Sequence, residues 1–119
     1  MNLLSRAQYD QASEAFRKFA DTHPEDDRAG AAVYWAGDIA YSVKKNYEEA
    51  ARDFAELLKN YPKAARAPEG MLKLGLSLIA LNQTKEGCAA LAALPARYPD
   101  ASATIATRAR NERRDNKCR

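Results

Sequence analysis

A single histidine limits what this chain can catalyse. His23 stands directly before Pro24, and Tyr61 and Tyr98 hold the same place before Pro62 and Pro99. An imidazole could activate a serine or cysteine near neutral pH. A Ser-His-Asp arrangement would have to use this one histidine, and no glycine elbow surrounds any serine. The shared position with two tyrosines reads His23 as an aromatic stand-in in a turn. Metal centres of the paired-His or Cys-x-x-Cys kind cannot be assembled, and there is no glycine-rich phosphate loop. The acidic groups Glu25-Asp26-Asp27 and Glu48-Glu49 fall at expected helix starts, where carboxylates offset the helix dipole. No catalytic residue, metal ligand or cofactor is therefore assigned, and an enzyme is not expected.

The remaining chemistry is sulfur chemistry. Cys88 and Cys118 are the only cysteines. A hairpin folded about Pro99 and Asp100 sets Cys88 opposite roughly residue 111, and a short fold-back of Asp115-Asn-Lys would bring Cys118 to it. The bridge would close a loop of about 30 residues and contribute on the order of 3.6 kcal/mol through loop-closure entropy. The alternative is a buried, inert Cys88 and a free, exposed Cys118. Spacing alone leaves both readings open.

The elements that must carry these residues follow from a repeat. With Tyr9, Tyr47 and Thr84 aligned, Ala12, Ala50 and Gly87 stand at +3, Phe16, Phe54 and Leu91 at +7, Phe19, Leu57 and Leu94 at +10, and Pro24, Pro62 and Pro99 at +15. This pattern resembles the second helix of a tetratricopeptide repeat. One extra residue lies around Lys44, Lys45 and Asn46, before Tyr47. Each proline keeps the preceding residue out of the helical region and so ends a helix. Helices are expected at about 8–22, 28–44, 47–60, 66–81, 84–97 and 101–115, and no sustained alternation marks a strand. The +3, +7 and +10 positions form one buried stripe, leaving Glu14, Lys18, Arg52, Glu56 and Lys59 on the solvent side. Gly37 and Gly75 let the second helix of each hairpin approach closely. The expected fold is all-α: a right-handed solenoid of antiparallel hairpins with about six helices. It spans residues 1–115, followed by a tail at 116–119. Its first hairpin lacks all but a stub of its first helix, as if the chain began inside a hairpin. Ala101 to Arg114 is the expected capping helix, with Ile105, Ala106 and Ala109 inward.

At 119 residues, 46% apolar and 29% charged, the composition is that of one ordinary globular domain. No apolar run approaches the roughly 20 residues of a membrane span, so direct membrane insertion is not expected. Met1 to Arg6 offers only Leu3 and Leu4 as an apolar pair, too little for a signal-peptide core. Residues 1–60 carry 8 Lys and Arg against 11 Asp and Glu, and residues 61–119 carry 11 against 5. Much of the basic excess is Arg108, Arg110, Arg113, Arg114, Lys117 and Arg119. Such a tail could attract nucleic acid, but no aromatic is interleaved for base stacking. A solvated last helix is the simpler reading, and no nucleic-acid partner is assigned.

First helices line the concave face of such solenoids, so their residues turned away from the hairpin partner are the candidate site. Those are Tyr34, Asp38 and Tyr41, with Ser42, in one repeat and Glu69, Leu72, Leu76 and Ile79, with Ala80, in the next. Large apolar side chains in contiguous rows mark an interaction surface when exposed. This set would hold a peptide by anchors while Asp38, Lys73 and Glu69 orient it. The competing reading makes Leu72 and Ile79 core. Trp35 is expected to pack between repeats.

Several strings carry a more specific resemblance: Tyr34-Trp-Ala-Gly-Asp-Ile-Ala-Tyr41, Tyr47-Glu-Glu-Ala-Ala-Arg-Asp-Phe54, Leu72-Lys-Leu-Gly-Leu-Ser-Leu78 and Gly87-Cys-Ala-Ala-Leu91. With two Tyr-Pro repeat ends, they resemble the C-terminal tetratricopeptide domain of the periplasmic Tol-Pal system protein, the YbgF/CpoB family, from Tyr9 to about Ala109. The resemblance implies a non-enzymatic periplasmic adaptor that binds TolA and helps coordinate peptidoglycan synthesis with outer-membrane constriction at division. That family's signal peptide and trimerising coiled coil have no counterpart here, so a trimer would belong to a longer parent. A periplasmic address favours the Cys88 to Cys118 bridge. The other readings are a BamD-like outer-membrane assembly scaffold, a generic peptide-binding module, and a cytoplasmic binder of nucleic acid or chaperone tails driven by the basic end.

Overall fold

The structure, a computed structural model, describes residues 3–118. Met1, Asn2 and Arg119 lie outside the described residues, and with them the first two positions of the expected domain and the last of the expected tail. Every regular element among the described residues is helical: α1 (Leu3–Thr22), α2 (Ala29–Asp38), a π-helical continuation (Ile39–Lys44), α3 (Tyr47–Asn60), α4 (Ala67–Ala80), α5 (Thr84–Arg97) and α6 (Ala103–Asp115). Successive helices pack on one another, and contacts also run from α2 to α4 and from α4 to α6. The order is that of a solenoid: two complete hairpins, α2 with α3 and α4 with α5, with α1 packed on α2 at one end and α6 on α4 and α5 at the other.

Two expectations about the first helix and the first hairpin turn change. Residues 3–7, read as the stub of a preceding helix, are instead the first turns of α1. No glycine or proline separates Leu3 from Gln8, so nothing stops the helix from extending backward. The extra residue assigned to the turn before Tyr47 is absorbed one step earlier, where the helix widens to a π turn over Ile39–Lys44. A π turn is how a helix takes in one residue without breaking. The amide of Asn46 then reaches back to the carbonyl of Ala40 at 2.9 Å. The equivalent helix α4 closes one residue tighter, with Gln83 N donating to Leu78 O at 2.8 Å and Asn82 N to Ile79 O at 3.0 Å. Lys45, Asn82 and Lys117 all adopt positive φ at these ends, the left-handed residue that reverses a chain after a helix.

The repeat stripe is the core. Ala50, Phe54 and Leu57 of α3, and Leu91 and Leu94 of α5, are all 0% exposed, each large side chain contributing about 1.5–3 kcal/mol by burial. Val33 and Tyr34 join the first cluster, and Met71, Leu72, Leu76 and Ala109 the second, with half-buried Tyr41, Ala64 and Leu74 touching both. Close approach explains the small residues. A Cβ on Gly37 would lie 2.8 Å from the Phe54 ring, and one on Gly75 2.8 Å from Leu91. Glu14, Lys18, Arg52, Glu56 and Lys59 are exposed as expected.

The proline turns form a ladder. Tyr61 Oη donates to the carbonyl of Pro24 at 3.0 Å, and Tyr98 Oη to that of Pro62 at 2.9 Å. Each tyrosine thus ties its turn to the turn one repeat earlier. His23, at the first such place, lies exposed with its ring 5.2 Å from Phe19.

At the far end Ser102 caps α6 by accepting from Ile105 N. Ala109 is buried, Ile105 and Ala106 are half-buried, and Arg108, Arg110 and Arg114 face solvent. After Asp115 the chain turns back on two hydrogen bonds, Lys117 N to Arg114 O at 3.1 Å and Cys118 N to Arg113 O at 2.8 Å. Cys118 is bridged to Cys88, which leaves no free cysteine among the described residues. Residues 116–118 are therefore tied to the domain.

Candidate partner-binding face

The face built by the first helices differs from the one expected. Tyr34, Leu72 and Leu76 are 1%, 2% and 8% exposed and belong to the core; as surface anchors they are corrected here. Neighbouring first helices pack against each other as well as against their hairpin partners, so one stripe is too few to leave these side chains in solvent. Ile79 is half-buried and packs on the second cluster. Asp38, Tyr41, Glu69 and Lys73 are half-buried, while Ser42 and Ala80 are exposed.

The polar members bind one another. Lys73 Nζ reaches Asp38 Oδ1 at 2.6 Å, the Tyr34 hydroxyl at 2.9 Å and Glu69 at 3.5 Å. Glu69 also accepts from Arg66 at 2.9 Å, and Ser42 Oγ donates to Asp38 at 3.1 Å. Asp38, Lys73 and Glu69 thus serve first to tie α2 to α4. Burial pushes the Tyr34 phenol up to about 12, against the opposing pull of the Lys73 ammonium. Burial alone would lower Lys73, but its bonds to Asp38 and Tyr34 together outweigh that and raise it above the ordinary lysine value. Tyr41 is likewise raised by burial, and feels Arg108 and Glu112 across the groove from α6.

Trp35, expected between repeats, lies on the surface instead. It is 37% exposed. Its ring meets Tyr34 edge-on, centroids 5.0 Å apart, and the Arg66 guanidinium lies 5.0 Å from its centroid. Arg66 precedes α4 and also sits 5.6 Å from the Tyr34 ring. An exposed tryptophan with a stacked arginine combines two residue types that dominate binding hot spots. Sequence reasoning misses Arg66, which follows no helical stripe; the weak signal is its place at the start of α4, one repeat on from Arg28.

A second charged cluster, equally absent from the repeat pattern, joins α1 to α3. Arg17 bonds Glu49, and Asp53 at 2.9 Å, while Lys44 reaches Glu49 at 3.1 Å and Asp10 at 3.4 Å. Glu49 and Asp53 are 9% and 7% exposed. Burial would raise the Glu49 carboxyl, but the bonds from Lys44 and Arg17 hold it below its ordinary value. Burial raises Asp53 despite Arg17. These carboxylates fasten helices, and among the described residues no group of three or more His, Cys, Asp and Glu could hold a metal ion.

The tetratricopeptide repeat family matches residues 31–64 and 69–101, together more than half of the chain. The two matches coincide with the hairpins α2 with α3 and α4 with α5. No curated protein matches the chain.

Proposed function

We propose, from the premise that this chain belongs to the tetratricopeptide repeat family, that it works as a non-enzymatic adaptor of the bacterial cell envelope. Tetratricopeptide repeats are protein-interaction modules, and solenoids of this kind present extended concave surfaces to their partners. The partner proposed is TolA, in the periplasm, with a role in coordinating outer-membrane constriction and peptidoglycan synthesis at division. What supports the finer reading is the resemblance of the Tyr34–Tyr41 and Leu72–Leu78 strings to the Tol-Pal family. A disulfide suits an oxidising compartment.

One observation carries the site: Trp35 is exposed beneath Arg66, beside the Asp38–Lys73–Glu69 network and Tyr41. Trp35 and Arg66 would supply the anchor and its hydrogen-bonding partner, with Tyr41 and Ile79 completing the surface. Titration calorimetry with purified soluble TolA segments tests the proposal. Binding that falls at least 30-fold in Trp35→Ala, about 2 kcal/mol, supports it. Absence of binding by the unaltered chain refutes the choice of TolA, and full binding by Trp35→Ala refutes the choice of site.

A further inference from the structure

One junction of the stack is held differently from the others. Side chains tie α1 to α3 through Arg17 with Asp53 at 2.9 Å, α2 to α4 through Lys73 with Asp38 at 2.6 Å, and α3 to α5 through Arg97 with the Leu58 carbonyl at 2.8 Å. Among the described residues, every hydrogen bond and ion pair of residues 102–118 stays within that segment. What joins α6 to its neighbours is apolar contact, from buried Ala109 with half-buried Ile105 and Ala106, and the Cys88–Cys118 bridge.

The place where α6 packs is the face that the repeat pattern offers to a partner. Gly70 of α4 faces Leu57 of α3, and Gly75 faces Leu91 of α5. At about 100° per residue, Leu72 and Leu76 stand about 200° and 240° round from Gly70, on a third side of α4. Lys73 lies farther round, towards Asp38 of α2. The side between α5 and α2 is covered by α6, which packs on α4 and α5. Leu72 and Leu76, 2% and 8% exposed, share one cluster with Ala109 and Ile105.

We propose that α6 is a thiol-latched lid: reduction of the Cys88–Cys118 bridge releases it and opens a helix-binding groove floored by Leu72 and Leu76. The occupant of that groove is α6 itself, so its ligand is a helix that presents a branched apolar residue and an alanine one turn apart, as Ile105 and Ala109 do. The step is thiol–disulfide exchange with a dithiol reductant. One thiolate of the reductant attacks a sulfur of the bridge, its second thiol resolves the mixed disulfide, and the reductant leaves as a disulfide; Cys88 and Cys118 each gain one electron and one proton. Both cysteines are half-buried, so the bridge is partly open to solvent. Once reduced, α6 keeps its tether at the Pro99 turn and loses the one at Cys118, and a short helix with no polar tie to its neighbours opens at low free energy. The lid is independent of the Trp35 face and of the identity of the partner there.

The test uses the isotope-labelled full chain, oxidised or held in dithiothreitol, and a cysteine-free synthetic peptide of residues 101–116. Reduction, confirmed by thiol alkylation and mass, should speed amide exchange of Ala103 to Asp115 about a hundredfold while Ala29 to Arg97 keep their protection. The peptide should then shift the amides of Leu72 and Leu76 saturably, and bind the oxidised chain at least about tenfold more weakly, because the latched α6 competes from within the molecule. An Ile105→Arg peptide should not bind. Cys88→Ser with Cys118→Ser should behave as the reduced chain without dithiothreitol. The proposal is overturned by a bridge that dithiothreitol leaves intact, by α6 amides as protected after reduction as before, or by equal peptide affinity in the two states. Loss of helical circular dichroism throughout the reduced chain would also overturn it, making the bridge a support for the whole fold. So would an α6 that opens while Leu72 and Leu76 stay unshifted at millimolar peptide.

Discussion

Replacing both cysteines, Cys88→Ser with Cys118→Ser, should loosen the C-terminal end of the stack more than any other change that leaves the core intact. The bridge spans 30 residues of sequence. Where a cross-link acts by restricting the unfolded chain, such a loop is worth about 3.6 kcal/mol. Against that loss α6 has little of its own. It buries Ala109 fully and Ile105 and Ala106 in part, with Ala101 half-buried just before it, and a methylene-sized group contributes only about 0.8 kcal/mol. A helix of 13 residues is marginal without tertiary support. The double variant should therefore melt about 12 °C lower than the oxidised parent, taking roughly 3–4 °C per kcal/mol for a domain of this size. Native-state hydrogen exchange should lose protection first in Thr104 to Asp115, because the least-anchored unit opens at the lowest free energy. A Tm drop under about 3 °C with α6 as protected as before would refute the reasoning and show that packing alone holds the cap.

Three further outcomes follow from the packing and the charges. Gly87→Ala adds a Cβ 2.6 Å from both the Gly75 carbonyl oxygen and Ile79; overpacking of about 1–3 kcal/mol should exceed the roughly 1 kcal/mol gained in helix propensity, and denaturant melts will show a net loss. Arg17→Met strands Glu49 and Asp53, and breaking a buried pair costs about 3–5 kcal/mol. Because Arg17 is 34% exposed, about 2 kcal/mol is expected after solvent screening, and urea unfolding at pH 7 measures it. Tyr34 and Lys73 both have folded pKa values raised above their unfolded ones. Their stabilisation is fully present below about pH 10 and lost as pH rises toward about 12, so urea midpoints should fall over that window, and Lys73→Met should flatten the lysine part of the fall.

How much is legible in the sequence differs from residue to residue. The helices ending at His23-Pro24, Tyr61-Pro62 and Tyr98-Pro99 are readable because proline constrains its neighbour locally. The buried stripe is readable because a helix repeats its faces every three to four residues. The hairpin brings Cys88 and Cys118 near each other, but only the left-handed turn at Lys117 decides that the sulfurs meet. The site is less legible. Glycine positions locate the hairpin side of a first helix, yet whether Leu72, Leu76 and Tyr34 are wet depends on the next first helix, which a one-helix wheel does not contain. The same missing neighbour misplaces Trp35 inward.

The sequence by itself determined the element types, the helix ends set by proline, the repeat and the hairpin faces, since each rests on short-range sterics or on periodicity within one helix. Only the tertiary structure decided what faces solvent and which charges meet. Arg17 with Glu49 and Asp53, and Lys73 with Asp38, lie 32, 36 and 35 residues apart, and they come together because stacked hairpins bring side chains from successive repeats to the same height. That distance in the chain is invisible to any local pattern. It is also what turns Tyr34 into core and leaves Trp35 outside.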